Sequence, residues 1–179
     1  MQGTPELAVL RLGHRPGRDE RTTTHVGLTA RALGADRVVL ADEAAGRRAS
    51  IDDITDRFGG PFEVGATHNP IEFLKQWEGA IVHLTMYGLP IRDVEGEIRE
   101  AFDAGTPLLA VVGGGKVPFD VYDEADWNVA VTNQPHSEIA SLAVFLDRLF
   151  EGEELDREWE DAGSVVVPRA VGKEVRDVE

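Results

Sequence analysis

The sequence predicts an α/β fold in which a mostly parallel sheet carries helices on both faces. Short apolar runs of strand length alternate with longer amphipathic runs of helical length along most of the chain. Glycine or proline stands at the boundary of many of these runs, for example at Gly34, Pro61 and Gly105. This alternation is typical of parallel sheets, because each strand returns to the next through a helix. With 179 residues and no internal repeat, the chain suits one main domain.

The first 105 residues supply four of the predicted strands and four helices. Thr22, Thr23 and Thr24 predict the N-cap of the first helix, which Gly34 ends. Asn69-Pro70 predicts another helix start, because proline favours the first helical position. The strands are expected at 7–12, 37–41, 62–66 and 80–85, and the helices at 22–33, 50–59, 70–77 and 91–104.

Two further predicted strands end in unusual loops. The run at 107–112 leads into Gly-Gly-Gly-Lys at 113–116, and the next strand leads into a polar loop at 132–137. Apolar side chains at helical spacing then predict a helix over 137–150, with Ser137 able to cap it. Because α/β proteins bind ligands at the carboxyl ends of neighbouring strands, the two loops predict a small-molecule pocket.

The end of the chain differs in composition from the rest. It is strongly acidic from Glu151 onward and contains one short apolar run, Val165 to Val167, before Pro168. The sequence predicts a main domain at 1–151 and an acidic C-terminal extension at 152–179. We expect a helix plus a short edge strand in this extension, with a mobile end.

Composition excludes several classes of site. The chain has no cysteine, so it contains no disulfide, zinc ribbon or thiol nucleophile. The five histidines show no metal-binding spacing, and no Gly-x-Ser-x-Gly nucleophile elbow occurs. No apolar run approaches 18 residues, and the start lacks a basic region followed by an apolar one. We therefore expect a soluble, cytoplasmic protein without a metal or a membrane partner.

Charge is distributed unevenly. The net charge is −15, with three lysines and fifteen arginines, and such an acid-rich, lysine-poor surface fits a halophilic archaeon with high internal salt. Residues 11–37 nevertheless hold six arginines against three acids. This basic segment predicts either contacts with an anionic partner or ion pairs with a neighbouring acidic surface.

The glycine loop fits no standard phosphate-binding motif. A Walker A loop would need glycine at Ala110 and serine or threonine at Val117, and Pro118 breaks the dinucleotide-binding spacing. Two interpretations stay open for the three glycines. They could let the backbone approach an uncharged ligand face, or they could serve a tight turn that requires positive φ.

One stretch carries a family resemblance. Residues 11–35 read Arg-Leu-Gly-His-Arg-Pro-Gly-Arg-Asp-Glu-Arg-Thr-Thr-Thr-His-Val-Gly-Leu-Thr-Ala-Arg-Ala-Leu-Gly-Ala. They closely resemble the opening signature of the archaeal tRNA (cytidine-56)-2′-O-methyltransferases, which belong to the SPOUT superfamily of knotted methyltransferases. The loops at 112–116 and 130–137 are similar to the second and third motifs of that superfamily. The resemblance therefore covers almost the whole chain.

The resemblance implies a C-terminal trefoil knot, a homodimer whose active site combines both chains, and S-adenosylmethionine (S-adenosyl-L-methionine) held by the knotted loops. It implies that Arg31 helps to activate the ribose hydroxyl. It also implies these cofactor contacts: Leu84, Val112, Gly113, Gly114, Gly115, Lys116, Ala130, Val131, Thr132, Asn133, Gln134, Pro135, His136 and Ser137. Two departures concern the proton acceptor: His25 stands where many relatives carry asparagine, and the glycine loop lacks their glutamate.

The implied reaction needs a proton acceptor and a positively charged substrate surface. A ribose 2′-hydroxyl has a high pKa, so its proton must leave as the new bond forms. The candidates around that oxygen are Arg31, His25, Asn133 and Ser137. The basic segment would contact tRNA phosphates through Arg11, His14, Arg15, Arg18 and Arg21.

The sequence therefore predicts a tRNA ribose 2′-O-methyltransferase, with cytidine 56 in the T-loop as its target by resemblance alone. One alternative is a non-catalytic RNA-binding module on the same fold, which would not bind S-adenosylmethionine. Another is an unrelated α/β nucleotide-binding enzyme, which would bind a mononucleotide and ignore tRNA.

Overall fold

A computed structural model describes residues 5–178 and contains a six-stranded sheet, a two-stranded hairpin and six α-helices in that range. The strands are β1 (Leu7–Leu12), β2 (Arg37–Ala41), β3 (Glu63–Thr67), β4 (Ala80–Pro90), β5 (Leu108–Gly113), β6 (Trp127–Ala130), β7 (Ser164–Val167) and β8 (Glu174–Asp177). The helices are α1 (Glu20–Ala32), α2 (Arg48–Phe58), α3 (Pro70–Lys75), α4 (Ile91–Asp103), α5 (Phe119–Glu124) and α6 (Glu138–Phe150).

The main sheet has the order β3-β2-β1-β5-β4-β6, and every neighbouring pair is parallel. The predicted parallel α/β sheet is thus confirmed. The chain builds outward from β1 to β3 and then crosses to the other side of β1. Loops after β1 and β5 therefore diverge at the carboxyl edge of the sheet, which is where such folds form a crevice.

Helices cover both faces of the sheet, as the sequence predicted. On one face, α1, α2, α4 and α6 pack over a core that includes Val26, Ile51 and Phe145. On the other face, the shorter α3 and α5 contribute Leu74 and Val121 to a second cluster. Strand β1 lies between both clusters and is buried at every position, which explains why it is apolar everywhere except at Arg11.

The start of α1 differs from the prediction. The helix begins at Glu20 with Asp19 as its N-cap, so the three threonines lie inside the first turns. Asp19 makes no side-chain cap bond, because its carboxylate accepts hydrogen bonds from the backbone and guanidinium of Arg15. Thr24 instead donates its hydroxyl to the carbonyl of Glu20, one turn earlier. The predicted threonine cap is therefore wrong: the helix begins earlier, and its N-cap residue makes no side-chain cap bond.

Helix α6 begins as predicted, and the extension after it does not follow the prediction. Ser137 accepts a hydrogen bond from the Ala140 amide and caps α6. Beyond α6, a short 3-10 helix over Glu153–Asp156 precedes the hairpin of β7 and β8. Strand β7 covers the predicted valine run, but it pairs with β8 in a separate antiparallel sheet and is not an edge strand of the main sheet. Strand β8 falls within the end of the chain that is predicted to be mobile.

Two features near the carboxyl edge were missed. Strand β4 continues to Pro90, with an irregularity against β6 between Leu84 and Leu89. Helix α5 occupies the stretch that the sequence left without structure. Both features help to enclose the site described below. Within residues 5–178, no helix combines the length and hydropathy needed to cross a membrane.

Candidate functional site

A cavity of about 480 Å³ lies at the carboxyl edge of the sheet; we call it the carboxyl-edge cavity. Its walls come from the end of β4, the loop after β5, helix α5 and the start of α6. A volume of this size suits a small-molecule ligand or cofactor. The lining residues are His83, Leu84, Thr85, Met86, Tyr87, Gly113, Gly115, Lys116, Val117, Tyr122, His136, Glu138 and Ser141.

The glycine loop lies against neighbouring chain segments too closely for side chains. A Cβ at Gly114 would stand 2.8 Å from Nη2 of Arg11, and Gly115 has φ of +81°. Gly13 in the loop after β1 has φ of +73°, and a Cβ there would meet the Gly114 carbonyl oxygen at 2.4 Å. Of the three loop glycines, only Gly115 has the positive φ of the tight-turn interpretation, whereas Gly114 is restricted by close packing. Gly113 and Gly115 also present backbone to the cavity.

A buried ion pair supports this loop. Arg11 is 1% exposed, donates from Nη1 to the Leu12 carbonyl at 2.8 Å and from Nη2 to Oε1 of Glu138 at 2.8 Å. Glu138 lines the cavity, and its second oxygen is buried without a partner among the described residues. Arg11 is therefore not available for tRNA phosphates, in contrast to the prediction. Its position assigns it to the support of the glycine loop.

The end of β4 and the loop after β6 are joined by hydrogen bonds. Asn133 donates from Nδ2 to the carbonyls of Met86, at 2.8 Å, and Gly88, at 3.0 Å. Gly88 lies directly on the backbone of β6, since a Cβ there would stand 2.4 Å from the carbonyl of Asn128. The sequence interpretation gave Asn133 no structural role, and the structure gives it one. Its Oδ1 atom makes no hydrogen bond within residues 5–178 and can still accept one from a ligand.

Polar groups on the β4 side of the cavity form a second network. The Nδ1 atom of His83 lies 2.8 Å from Oδ1 of Asn128. The His83 ring packs edge-on against the Tyr122 ring, with centroids 4.6 Å apart. The Tyr122 hydroxyl lies 3.1 Å from Oγ1 of Thr85. Burial lowers the pKa of His83, although the bond to Asn128 opposes this effect. The histidine is therefore neutral near pH 7.

The structure brings only part of the predicted cofactor set to this cavity. Leu84, Gly113, Gly115, Lys116 and His136 line it. Others of the set are buried in strands or exposed beside the opening: Val112 and Ala130 are buried, Val131 packs against the core, and Thr132, Asn133, Gln134, Pro135 and Ser137 are exposed. His136 is turned toward its own loop, since its Nδ1 donates to the Gln134 carbonyl at 2.6 Å.

Several lining residues were missed by the sequence interpretation, notably His83, Thr85, Tyr122, Glu138 and Ser141. One signal could have identified His83, because a histidine within an otherwise apolar buried strand needs a polar partner. No local signal identifies Tyr122 or Glu138, which reach the cavity only because α5 and α6 fold over the edge of the sheet.

The basic segment at 11–21 lies next to the cavity, after β1. Arg15 pairs with Asp19 at 2.9 Å, and this hydrogen-bonded pair lowers the pKa of the Asp19 carboxyl to about 2. His14 shares a hydrogen bond with Oγ1 of Thr23 at 2.7 Å. Arg18 and Arg21 are exposed and form no ion pair with any residue that the structure describes. These two arginines therefore have charge available for an external partner, whereas Arg15 is already paired.

Arg31 lies far from the carboxyl-edge cavity within the same chain. Helices run antiparallel to the strands, so the last turn of α1 is at the opposite, amino edge of the sheet, about 16 Å along the helix from Glu20. Arg31 donates to the Gly59 carbonyl at 2.5 Å and lies 4.2 Å from the ring centroid of Trp159. Burial, with a smaller contribution from Arg157, lowers the pKa of Arg31.

Arg31 instead lines a second cavity of about 730 Å³, which we call the amino-edge cavity. Arg157 also contacts Trp159, at 5.0 Å from the ring centroid. Of the other predicted catalytic residues, His25 is exposed on α1, and Asn133 and Ser137 lie on the loop beside the carboxyl-edge cavity. One chain alone thus does not bring the four predicted catalytic residues together.

Over residues 5–178, no group of three acidic or histidine side chains could hold a metal ion.

Comparisons with known proteins identify relatives over the whole chain. A family model described as tRNA ribose 2′-O-methyltransferase, aTrm56, matches residues 58–176. A tRNA (cytidine(56)-2′-O)-methyltransferase of Haloarcula marismortui is 65% identical over 99% of this chain and 98% of its own. One of the same name from Thermococcus kodakarensis is 51% identical over 97% of this chain and 98% of its own.

Solved structures share the fold at low sequence identity. A TrmH/SpoU tRNA modifying enzyme of A. aeolicus matches with a TM-score of 0.58 and 14% identity, over 86% of this chain and 77% of that one. The SpoU methyltransferase AviRb of Streptomyces viridochromogenes, solved with AdoMet, matches with a TM-score of 0.57 and 13% identity. That match covers 86% of this chain and 59% of AviRb, so this chain spans less than two thirds of its length.

Proposed function

The chain belongs to the aTrm56 family of tRNA ribose 2′-O-methyltransferases, and from this we propose how its residues divide the work of the reaction. It is an enzyme that methylates the ribose 2′-hydroxyl of cytidine 56 in tRNA, with S-adenosylmethionine as methyl donor. The observation that carries this function is 65% identity to a named relative over 99% of the chain.

The carboxyl-edge cavity fits the cofactor in size and chemistry. It offers glycine backbone, apolar surface from Leu84 and Val117, and hydrogen-bonding side chains. When bound, the cofactor would supply a methyl group attached to a positively charged sulfur. After transfer of the methyl group, that sulfur would belong to a neutral thioether. The residues that would hold it are those of three segments: 84–88, 112–116 and 130–137. Hydrogen bonds between the first and third segments keep their side of the cavity formed before binding.

On the substrate side, the chain has to orient the ribose oxygen and remove its proton. Ser137 uses its oxygen as an acceptor for the Ala140 amide, so its hydroxyl hydrogen can still be donated. Asn133 has its Oδ1 atom available to accept a hydrogen bond from the ribose, and His25 is exposed on α1. Alignment of the ribose oxygen with the methyl group would supply much of the acceleration.

The tRNA contacts come from the loop after β1 and the start of α1. Arg18 and Arg21 are exposed and form no ion pair with a residue that the structure describes, whereas Arg15 pairs with Asp19 and His14 bonds to Thr23. Arginines of this kind bind phosphates and orient the RNA backbone. This assignment explains a local excess of positive charge in a protein of net charge −15.

A homodimer would explain the position of Arg31. Within its own chain Arg31 is at the amino edge, so only a second subunit could bring it to a cofactor cavity. Large apolar side chains beside the carboxyl-edge cavity are exposed, including Tyr87 at 75%, Leu89 at 61% and, on α6, Val144 at 41%. Burial of such side chains is a usual source of dimer stability. In the proposed dimer, Arg31 of one subunit acts on the ribose held beside the cavity of the other.

The interlocked loops support the proposed trefoil knot. Segment 85–90 lies on β6 and is bonded to the loop that leads into α6. In the proposed topology, α6 passes through the loop formed by the preceding chain. The knotted domain then spans 1–151, and the extension at 152–179 folds against its amino edge.

The cellular setting follows from composition and relatives. Relatives from the halophiles Haloarcula marismortui and Natronomonas pharaonis are both 65% identical, and the chain shares the acid-rich composition suited to high internal salt. We place the protein in the cytoplasm of a halophilic archaeon, where its tRNA substrate is made.

The decisive experiment is methylation of an unmodified tRNA transcript with radiolabelled S-adenosylmethionine, followed by mapping of the modified ribose. We expect one labelled methyl group per tRNA, at the 2′-oxygen of cytidine 56. A transcript with uridine at that position is the matched control and should stay unlabelled. Label at another nucleotide would overturn the assigned target, and tRNA binding without any methyl transfer would favour an RNA-binding module.

A further inference from the structure

The floor of the carboxyl-edge cavity holds a histidine whose tautomer is fixed by its neighbours. Asn128 donates from Nδ2 to the carbonyl oxygen of Tyr122 at 2.9 Å. A carbonyl can only accept, so the orientation of this amide is determined and its Oδ1 faces His83. The Nδ1 atom of His83, 2.8 Å from that oxygen, must therefore carry the proton.

The second ring nitrogen of His83 is consequently an acceptor. Burial holds the imidazole neutral near pH 7, so it carries one proton, and that proton is on Nδ1. The ring cannot turn easily, because Tyr122 packs edge-on against it and is itself held by Thr85. Nε2 thus presents a lone pair in a fixed direction.

Nε2 is reachable only from the cavity. His83 is 1% exposed overall and lines the cavity, so the little surface it has faces that space. Nε2 bonds to none of the residues that the structure describes, and it is not among the polar atoms fully enclosed by protein. Nε2 therefore has no hydrogen-bond donor from the described residues, and a ligand in the cavity would provide one.

We propose that Nε2 of His83 accepts a hydrogen bond from an N–H or O–H group on the adenosine part of the cofactor, and so helps to select it. The proposal rests on the proposed function, which places the cofactor in this cavity. With 1% of its surface exposed at the cavity, His83 can contact a group of a bound small molecule but not the ribose of a folded tRNA. His83 is therefore a specificity-determining residue and not the acceptor of the substrate proton. The donor is either the base amine or a ribose hydroxyl, which share this chemistry.

Ligand analogues test the proposal directly. Dissociation constants are measured by calorimetry for S-adenosylhomocysteine and three counterparts: one with inosine in place of adenosine, one 2′-deoxy and one 3′-deoxy. In the wild-type protein we expect one counterpart to bind about tenfold more weakly, as the loss of one hydrogen bond implies. In His83→Phe, the parent compound should weaken by a similar factor, and the same counterpart should bind as well as the parent.

Control variants separate recognition from folding. His83→Gln retains an acceptor and should restore part of the discrimination, and it provides a second measurement if His83→Phe does not fold. His68→Phe makes the same replacement at an exposed histidine outside the cavity, and it should discriminate as the wild type does. Equal discrimination in wild type and both His83 variants would overturn the proposal. So would a fall in kcat with unchanged cofactor affinity, which would move His83 to the chemical step.

Failure of the proposed function gives a different result. If wild-type protein does not bind S-adenosylhomocysteine at all, the cofactor assignment of the cavity is wrong and the role of His83 is wrong with it. If the wild type binds the parent compound but treats all three counterparts alike, only the role of His83 is wrong.

Discussion

The two cavities of this molecule differ in how their polar groups are balanced. In the carboxyl-edge cavity, a buried arginine is paired with Glu138, and a neutral histidine is bonded to an asparagine. In the amino-edge cavity, Arg31 and Arg157 lie on one tryptophan, and neither forms an ion pair with a residue that the structure describes. In the first cavity the buried charges are paired within the protein, and only Lys116 on its wall forms no ion pair with a residue that the structure describes. The second has positive charge left over, which is the property expected of a surface that meets an acidic partner.

The largest effect should come from breaking the balance of the carboxyl-edge cavity. Glu138→Gln would leave the charge of Arg11 buried without a counter-ion, and we expect the free energy of unfolding to fall by about 3 kcal/mol. Urea denaturation measures this change. The matched control is Glu151→Gln, at the exposed end of a pair with Arg99, which should cost less than about 1 kcal/mol. Equal effects at the two sites would show that the buried pair is not the support of the glycine loop.

The next effect tests what the excess charge at the amino edge does. Arg31→Ala should lower the rate of methyl transfer at least about 100-fold, as the loss of one positioned donor does, with cofactor affinity unchanged. Single-turnover kinetics and calorimetry separate the two quantities. Arg157→Ala, in the same cavity, is the control and should keep most of the activity. Full activity of Arg31→Ala would limit Arg31 to its packing against Trp159.

A smaller effect is expected at the exposed arginines Arg18 and Arg21. Replacement of Arg18 and Arg21 by glutamate should weaken tRNA binding about tenfold and reduce its salt dependence, because phosphate contacts are lost. Filter binding at several salt concentrations measures both quantities. Reversal of Arg92, an exposed arginine on the surface of α4, is the control. Unchanged affinity in the double variant would place the tRNA elsewhere.

The smallest effect concerns pH. The pair with Arg15 depresses the pKa of Asp19 in the folded state to about 2, below its ordinary value of 3.8. The stabilisation is therefore complete above the ordinary value and is lost as pH falls through the folded-state value. NMR titration of the Asp19 carboxyl should show the low pKa in wild type and an ordinary one in Arg15→Gln. An ordinary value in both proteins would mean that this part of the loop is not held by the pair.

The sequence predicted the sheet and its helices because the apolar periodicity of the strands is strong. Strand β1, for example, is apolar at five of six positions and buried at all six. The predicted position of the first helix cap was late, since three threonines are a stronger cap signal than one aspartate, whose carboxylate is engaged by Arg15 four residues earlier. The extension was misread because a short valine run does not say which sheet it joins.

The candidate site was predictable only where its residues follow strands. The glycine loop and the loop after β6 were found because both directly follow apolar runs. Arg11 looked like an RNA contact, since its partner Glu138 is 127 positions away and no sequence pattern joins the two. His83, Tyr122 and Glu138 reach the cavity through long-range packing, which periodicity does not describe.

The hydrogen bonds between the end of β4 and the loop after β6 also affect when the cavity can form during synthesis of the chain. Asn133 holds Met86 and Gly88 across 47 and 45 positions of sequence, and the cavity is completed by residues as late as Ser141. A nascent chain that has not yet released α6 from the ribosome therefore has no formed cavity. If the cofactor binds in this cavity, as we propose, a chain truncated before α6 should not bind it.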